Sequence, residues 1–193
     1  ILYLPPRIAH WGIAEGQAMT YSVGFRSPSY SEMISHWCDH LLNSELGQQH
    51  LQDGELEGNQ HPAEITPAAL TQLKKIMRQL LNKPAQMESW FAILVTQSKY
   101  EDEPSFEKCY TMENIAAFIN QHRDFEKLPQ TRLAFIRHNN HLALFANGQA
   151  INSELACPEF IEYLCSETKL DSVALAEFFT NNNNLNVLIE LMN

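Results

Sequence analysis

The residue of this chain with the clearest potential for chemistry is His10. In the opening stretch ILYLPPRIAH, four strand-forming residues precede Pro5 and Pro6, and His10 begins a new extended run. Because proline cannot donate to a strand ladder, the Pro-Pro pair predicts a rigid corner. A ligand placed after such a corner has a fixed direction, as metal coordination needs. Two histidines and one carboxylate hold Fe(II) in many non-haem iron enzymes, so His10 is a candidate metal ligand; a histidine at the rim of a strand is the alternative.

A second histidine motif carries a weaker signal. His36 and His40 have the i, i+4 spacing that can place two imidazoles on one metal, as in an HExxH helix. Trp37 stands where that motif has its glutamate, and the sequence shows no third ligand. A solvated or interface face of a helix is therefore the favoured interpretation.

Composition and charge limit the function classes. The chain has 193 residues, 45% of them hydrophobic, which predicts a globular fold with a packed core. Its formal net charge of −10 repels phosphate backbones, disfavours generic nucleic-acid binding and favours basic partners. The four cysteines form no CxxC pair, which is typical of reduced thiols in a cytoplasm. No segment approaches the ~18 apolar residues of a membrane span.

A β-hairpin is predicted directly after His10. The runs 10–14 and 18–26 flank a Glu15-Gly16 turn. Because side chains alternate between the two faces of a strand, the second run has one apolar and one small or polar face. This pattern is typical of a barrel strand that packs on one side and lines a hydrated pocket on the other. The apolar face is Met19, Tyr21, Val23 and Phe25, and the other is Thr20, Ser22, Gly24 and Arg26.

Helices dominate the middle of the chain. One is predicted to begin at Pro28 with Ser29 or Ser31 and to run to about Leu46, and Thr66-Pro67 predicts the start of a second. A third follows Lys83-Pro84 with a full apolar stripe, so the second and third form a predicted αα-hairpin. Its apolar residues belong either to an intramolecular core or to a subunit interface.

The last part of the chain begins a new pattern after the charged segment 101–105, which is the predicted domain boundary. A helix at about 111–121 precedes three short strands with turns at Asn139-Asn140 and Asn147-Gly148. Three further helical segments follow. A helix, a small meander and more helices are typical of a winged-helix-like module. The strands are 132–138, 141–146 and 149–152, and the later helices lie near 157–166, 171–179 and 185–192.

Several stretches together resemble one family. ILYLPPRIAHWG and the following AMTYSVGFRSPS are similar to the end of the catalytic domain of bacterial JmjC-type ribosomal oxygenases, in the cupin superfamily. The similarity continues through HPAEITPAALTQLKKIM and LFANGQAIN. The resemblance implies an α+β fold that is mostly helical. It implies three parts: terminal strands of a cupin or jelly-roll barrel at 1–29, a helical dimerisation region at 30–104 and a winged-helix-like domain at 105–193.

The same resemblance implies a 2-oxoglutarate- and Fe(II)-dependent enzyme that hydroxylates an arginine of a large-subunit ribosomal protein. In it, His10 is the last of three iron ligands. The alternation of the run 18–26 places Thr20 and Ser22 on the face that would line the cosubstrate pocket. The family's other two ligands form an HxD motif before the last one. The HRD triplet at 122–124 comes after His10 in another domain, so we interpret it as a coincidence. We therefore expect a C-terminal portion of a larger enzyme, with no complete catalytic site and neither iron nor 2-oxoglutarate bound by itself.

The implied partners are a basic ribosomal protein as substrate and a second copy of the chain. A cytoplasmic location without membrane contact is expected. Direct DNA binding is not expected, because the winged-helix-like part is itself acidic. The alternative hypothesis is a dimerisation or protein-binding module without a catalytic role.

Overall fold

A computed structural model describes eight stretches of the chain. It divides the chain into two compact units, Ile1–His36 and Trp37–Asn193. The fold is α+β and mostly helical, with seven helices and two small antiparallel sheets among the described residues. None of these helices is long and apolar enough to cross a membrane. The described residues are 2–5, 8–21, 27–45, 47–50, 61, 63–98, 109–139 and 141–193.

The first unit holds the segment that was predicted to form a hairpin, and this prediction is wrong for the described residues. Residues 2–5 and 8–21 contain no strand and are exposed throughout. Gly16 keeps a left-handed backbone, with φ of 78°, so the chain does bend where the turn was predicted. An extended run becomes a stable strand only when neighbouring strands satisfy its backbone groups and cover one face. No such neighbour lies beside these residues in the described part of the first unit.

The helix α1 (Tyr30–Leu42) begins at a reciprocal cap. The backbone N–H of Ser29 donates to the Glu32 carboxylate at 2.6 Å, and the Glu32 N–H donates to the Ser29 hydroxyl at 3.2 Å. The helix ends earlier than the predicted Leu46. Side chains satisfy its last carbonyls there: the Ser44 hydroxyl donates to Leu41, and the Gln48 amide donates to Leu42, each at 2.6 Å.

The second and third predicted helices are confirmed as α2 (Pro67–Leu81) and α3 (Pro84–Thr96), and their pairing as an αα-hairpin stays a prediction. The Thr66 hydroxyl accepts from the Ala69 N–H at 3.2 Å, and Pro67 occupies the first helical position. Each helix starts with proline, which needs no N–H partner there, and a link of two residues joins them.

The C-terminal part is built on the three-stranded antiparallel sheet β2–β3–β4, and β1 pairs with β5 in a separate ribbon. Asn147 and Gly148 have φ of 47° and 82°, so the predicted Asn-Gly turn is confirmed. The Asn181–Asn184 run is a helix start, because the Asn181 side chain accepts from the Asn183 N–H. The elements are α4 (Met112–Asn120), β1 (Phe125–Glu126), β2 (Leu133–Arg137), β3 (Leu142–Ala146), β4 (Gln149–Ile151), α5 (Pro158–Ser166), β5 (Lys169–Leu170), α6 (Ser172–Phe178) and α7 (Asn182–Met192).

The core of this part joins helices α4 to α7 with the inner face of β3. Phe160, Ile161 and Leu175 are completely buried in it. The helix α3 packs against β2, β3 and β4 from outside the predicted winged-helix-like segment. The Thr96 hydroxyl at its end accepts from the Gly148 N–H at 3.2 Å, which connects α3 to the β3–β4 turn.

Candidate functional site

His10 is accessible and its ring has one close neighbour. The Nδ1 atom lies 3.3 Å from the backbone oxygen of Ile8. In the tautomer with hydrogen on Nδ1, that nitrogen donates to the carbonyl and Nε2 keeps its lone pair. Metal-binding histidines commonly use this arrangement, in which a backbone acceptor fixes the ring and the free nitrogen faces the metal. The geometry of His10 is therefore compatible with a ligand role.

The described residues contain no set of metal ligands that includes His10, and of the two residues predicted for the cosubstrate pocket they include only Thr20. Thr20 is exposed in the first unit, and Ser22 lies outside the described residues. Across the described ranges no group of three or more His, Cys, Asp or Glu side chains is arranged to hold a metal ion. The described residues supply one candidate ligand, and one histidine does not fit the three-ligand site that Fe(II) requires. We therefore derive no reaction step through iron from this structure.

The HRD triplet at 122–124 has a structural role. The Asp124 carboxylate accepts from Lys169 at 2.8 Å and from the Ser172 N–H at 3.1 Å, so it connects the end of α4 to the β5–α6 link. These contacts, Lys169 first, hold the pKa of Asp124 below its usual value. His122 has a φ of 53° and turns the chain at the end of the helix. The triplet thus belongs to the winged-helix-like fold, in agreement with its interpretation as a coincidence.

His40 belongs to an aromatic contact. Its ring stacks on the buried Trp37 with centroids 5.3 Å apart, and Trp37 meets Trp90 of α3 edge to face at 5.2 Å. These contacts explain why a tryptophan stands between the histidines. They favour a role of His40 in helix contacts over a metal site.

All four cysteines are free thiols, as predicted. Burial raises the pKa of Cys165 to about 11, against a smaller opposing effect of Lys127. Cys165 is therefore a neutral thiol at physiological pH and a poor nucleophile, because the thiolate is the reactive form.

The helix α2 has an apolar face that the second unit leaves exposed. None of its residues is buried, whereas α3 buries Trp90 and Ala92. The apolar residues of the two helices thus have different environments. Trp90 and Ala92 of α3 join the intramolecular packing, and α2 presents its apolar face to solvent. The exposed fractions on α2 are 44% for Leu70, 52% for Leu73, 48% for Met77 and 54% for Leu81.

A second face of α2, next to the apolar one, is strongly basic, a feature that the sequence analysis missed. Four cations, Lys74, Lys75, Arg78 and Lys83, line an open cavity of about 590 Å³ together with polar side chains that include Gln79. We call this the cation groove. The signal was the basic run with i, i+4 spacing in KKIMRQLLNK, which the strongly negative total charge concealed.

Comparisons with known proteins find this chain similar to ribosomal oxygenases and to their domains. The ROXA-like winged helix family matches residues 77–193, and the JmjC domain family matches residues 1–33. The ribosomal protein uL16 3-hydroxylase of Escherichia coli is 34% identical over 154 residues, which are 79% of this chain and 40% of that protein. A probable ribosomal oxygenase of Haemophilus influenzae is 26% identical over 92% of this chain and 46% of its own length.

Solved structures give the same result. The E. coli ribosomal oxygenase YcfD in complex with cobalt and 2-oxoglutarate superposes with a TM-score of 0.71 and 28% identity, over 89% of this chain and 46% of that one. The same protein with cobalt and succinic acid gives equal values. The chain spans less than half the length of these relatives.

Proposed function

Since this chain belongs to the ROXA-like winged helix family, we propose that it is part of a 2-oxoglutarate- and Fe(II)-dependent oxygenase that hydroxylates an arginine of a large-subunit ribosomal protein. The observation that carries the proposal is the JmjC match over residues 1–33, which includes His10. The similar proteins support the substrate class, because one is named a uL16 3-hydroxylase and another a ribosomal oxygenase.

Within this proposal, His10 is one iron ligand, and Thr20 and Ser22 contribute to the cosubstrate pocket. The free Nε2 of His10 and the cobalt and 2-oxoglutarate in the solved relative support this assignment. The 193 residues alone are proposed to be inactive, because one histidine does not hold an iron that needs three ligands.

The proposed substrate fits the charge of the chain. A net charge of −10 attracts a basic ribosomal protein over a distance of about a Debye length, roughly 8 Å at physiological salt. The proposed location is the cytoplasm, which suits four free thiols.

The second proposed role is assembly, and the exposed face of α2 supports it. Four large apolar side chains lie along one face of this helix, each 44–54% exposed. Exposed apolar faces of this kind are typical of subunit interfaces. We propose that a second copy of the chain covers this face. The segments 1–29, 30–104 and 105–193 remain our proposed barrel, dimerisation and winged-helix-like parts, although the matched families have other limits.

The test of catalysis uses the gene's complete reading frame and the exact 193-residue chain side by side. Each is incubated with Fe(II), 2-oxoglutarate and large-subunit ribosomal proteins, and arginine hydroxylation is followed as a 16 Da increase by mass spectrometry. We expect the complete protein to be active and the 193-residue chain to be inactive. His10→Ala should abolish the activity, and His36→Ala, which changes an exposed histidine of α1, should preserve it.

Two results would contradict the proposal. One is an unchanged rate for His10→Ala in the complete protein, because a missing iron ligand removes the reaction. The other is succinate release by the 193-residue chain that depends on a ribosomal protein.

A further inference from the structure

The cation groove of α2 has a local charge opposite to that of the chain. Between Glu64 and Glu88 the sequence contains no acidic residue, and it contains four of the chain's 13 basic ones: Lys74, Lys75, Arg78 and Lys83. A total charge of −10 therefore coexists with a stretch of +4. Local fields of this kind govern binding of charged partners at short range, whatever the net charge.

The cations of the groove repel one another without compensation in the described residues. Lys74 and Arg78 are an i, i+4 pair of like charges, which destabilises a helix. The ion pairs of the described stretches join Arg137 to Glu162 and Lys169 to Asp124, and neither includes a residue of the groove. A bound anion would supply the missing compensation.

The shape of the groove fits a chain of phosphates. Its residues on α2 extend from Thr71 to Gln79, about 12 Å along the helix axis at 1.5 Å per residue, and Gln49, Asn82 and Lys83 complete the lining. One nucleic-acid strand carries a phosphate about every 3.4 Å, so the groove matches several consecutive phosphates. The amides of Gln79 and Asn82 add neutral N–H donors for phosphate oxygens. None of its lining residues is aromatic, so the groove has no platform for stacked bases.

The groove also stays accessible if α2 pairs with a second copy. At about 100° per residue, the mean direction of Leu70, Leu73 and Met77 lies roughly 90° around the helix from that of Lys74 and Arg78. A second copy on the apolar face would therefore leave the cations beside it, in solvent. In the proposed dimer the apolar face is covered, so it is not available to insert into a lipid surface, as an interfacial helix requires.

We propose that the cation groove binds the phosphate backbone of RNA without reading its sequence. The choice of RNA over other polyanions rests on the proposed function, because an enzyme acting on a ribosomal protein meets that protein beside ribosomal RNA. The residues proposed to bind RNA lie on α2 and in the link after it, and their ligand is a polyanion.

The test measures binding of the 193-residue chain to fluorescently labelled single-stranded RNA by anisotropy, over a series of salt concentrations. The variant K74Q/K75Q/R78Q removes three cations and keeps good helix formers. The control R123Q/R132Q/R137Q removes three cations of the winged-helix-like part and keeps the Lys169–Asp124 pair. We expect the groove variant to bind at least about tenfold more weakly at low salt and to reduce the salt slope by about 2, at about 0.7 per phosphate contact.

Four outcomes would overturn the proposal: no binding of RNA by the unchanged chain at low salt, equal losses in the groove variant and the control, no change in salt slope, or preference for vesicles with anionic lipids or for polyglutamate over RNA. Circular dichroism of both variants shows whether α2 is still helical. If the groove variant unfolds, the single changes K74Q and R78Q, read in the same assay, carry the test. Because no iron, cosubstrate or ribosomal protein is present, failure of RNA binding and failure of hydroxylation are separate results.

Discussion

The helix α2 and the winged-helix-like core are built from similar residues in opposite environments. Leu73 of α2 is 52% exposed, whereas Leu175 of α6 is completely buried. The core obtains its stability from intramolecular packing, and α2 presents one apolar and one cationic face to solvent. Both surfaces proposed here for binding therefore lie on a helix whose amphipathic faces are not buried by the described part of the chain.

The difference in packing between α2 and the core is tested most directly by making the same substitution in both regions. Leu175→Ala should lower the free energy of unfolding by about 3 kcal/mol, because it removes buried side-chain volume and leaves a cavity. Leu73→Ala should lower it by less than about 1 kcal/mol at low protein concentration. Urea denaturation followed by circular dichroism measures both. Equal losses would show that α2 is packed within the subunit after all.

The proposed interface gives a smaller effect that depends on concentration. The double change L73E/M77E places two carboxylates on the apolar face, and their desolvation should weaken self-association at least about tenfold, or about 1.4 kcal/mol. Sedimentation equilibrium measures the dissociation constant. The control V173E alters an apolar side chain of α6 that is 60% exposed, and it should leave association unchanged. A strictly monomeric unchanged chain at high concentration would refute the interface.

The smallest expected effect is a change in the pH dependence of stability, which comes from the pair of Asp124 with Lys169. Because Lys169 and the Ser172 N–H lower the folded pKa of Asp124, its contribution to stability is present above the pKa of the unfolded state. That contribution is lost as the pH falls through the folded pKa. Asp124→Asn should therefore lower the urea midpoint at pH 7 and reduce its change between pH 7 and pH 3. Asp39→Asn, an exposed carboxylate of α1, is the control. An unaltered pH dependence in Asp124→Asn would contradict the assigned role of the pair with Lys169.

Local signals predicted the elements of the second unit well. Thr66-Pro67, Lys83-Pro84 and Asn147-Gly148 mark a cap, a link and a turn whose backbone requirements only a few residue types satisfy. The same local rules failed for the described part of the predicted hairpin, residues 10–21, because alternation shows which residues would share a face but does not supply a neighbouring strand.

The candidate site was only partly accessible to sequence reasoning. His10 was identified from a rigid corner and a family resemblance, and the structure adds the carbonyl of Ile8 that orients its ring in one tautomer. The cation groove was missed, because a charge total averages over positions that lie far apart in space. Only the helix brings Lys74, Arg78 and Lys83 to one cavity.

The sequence by itself determined where helices and tight turns form, because caps, prolines and positive-φ residues act over a few neighbouring positions. Only the tertiary structure decided which apolar stripe is buried. Trp90 of α3 is buried and meets Trp37, and α3 packs against β2, β3 and β4, whereas no residue of α2 is buried in the described part of the chain. Burial depends on which surfaces meet after folding, and residue spacing along one helix does not contain that information.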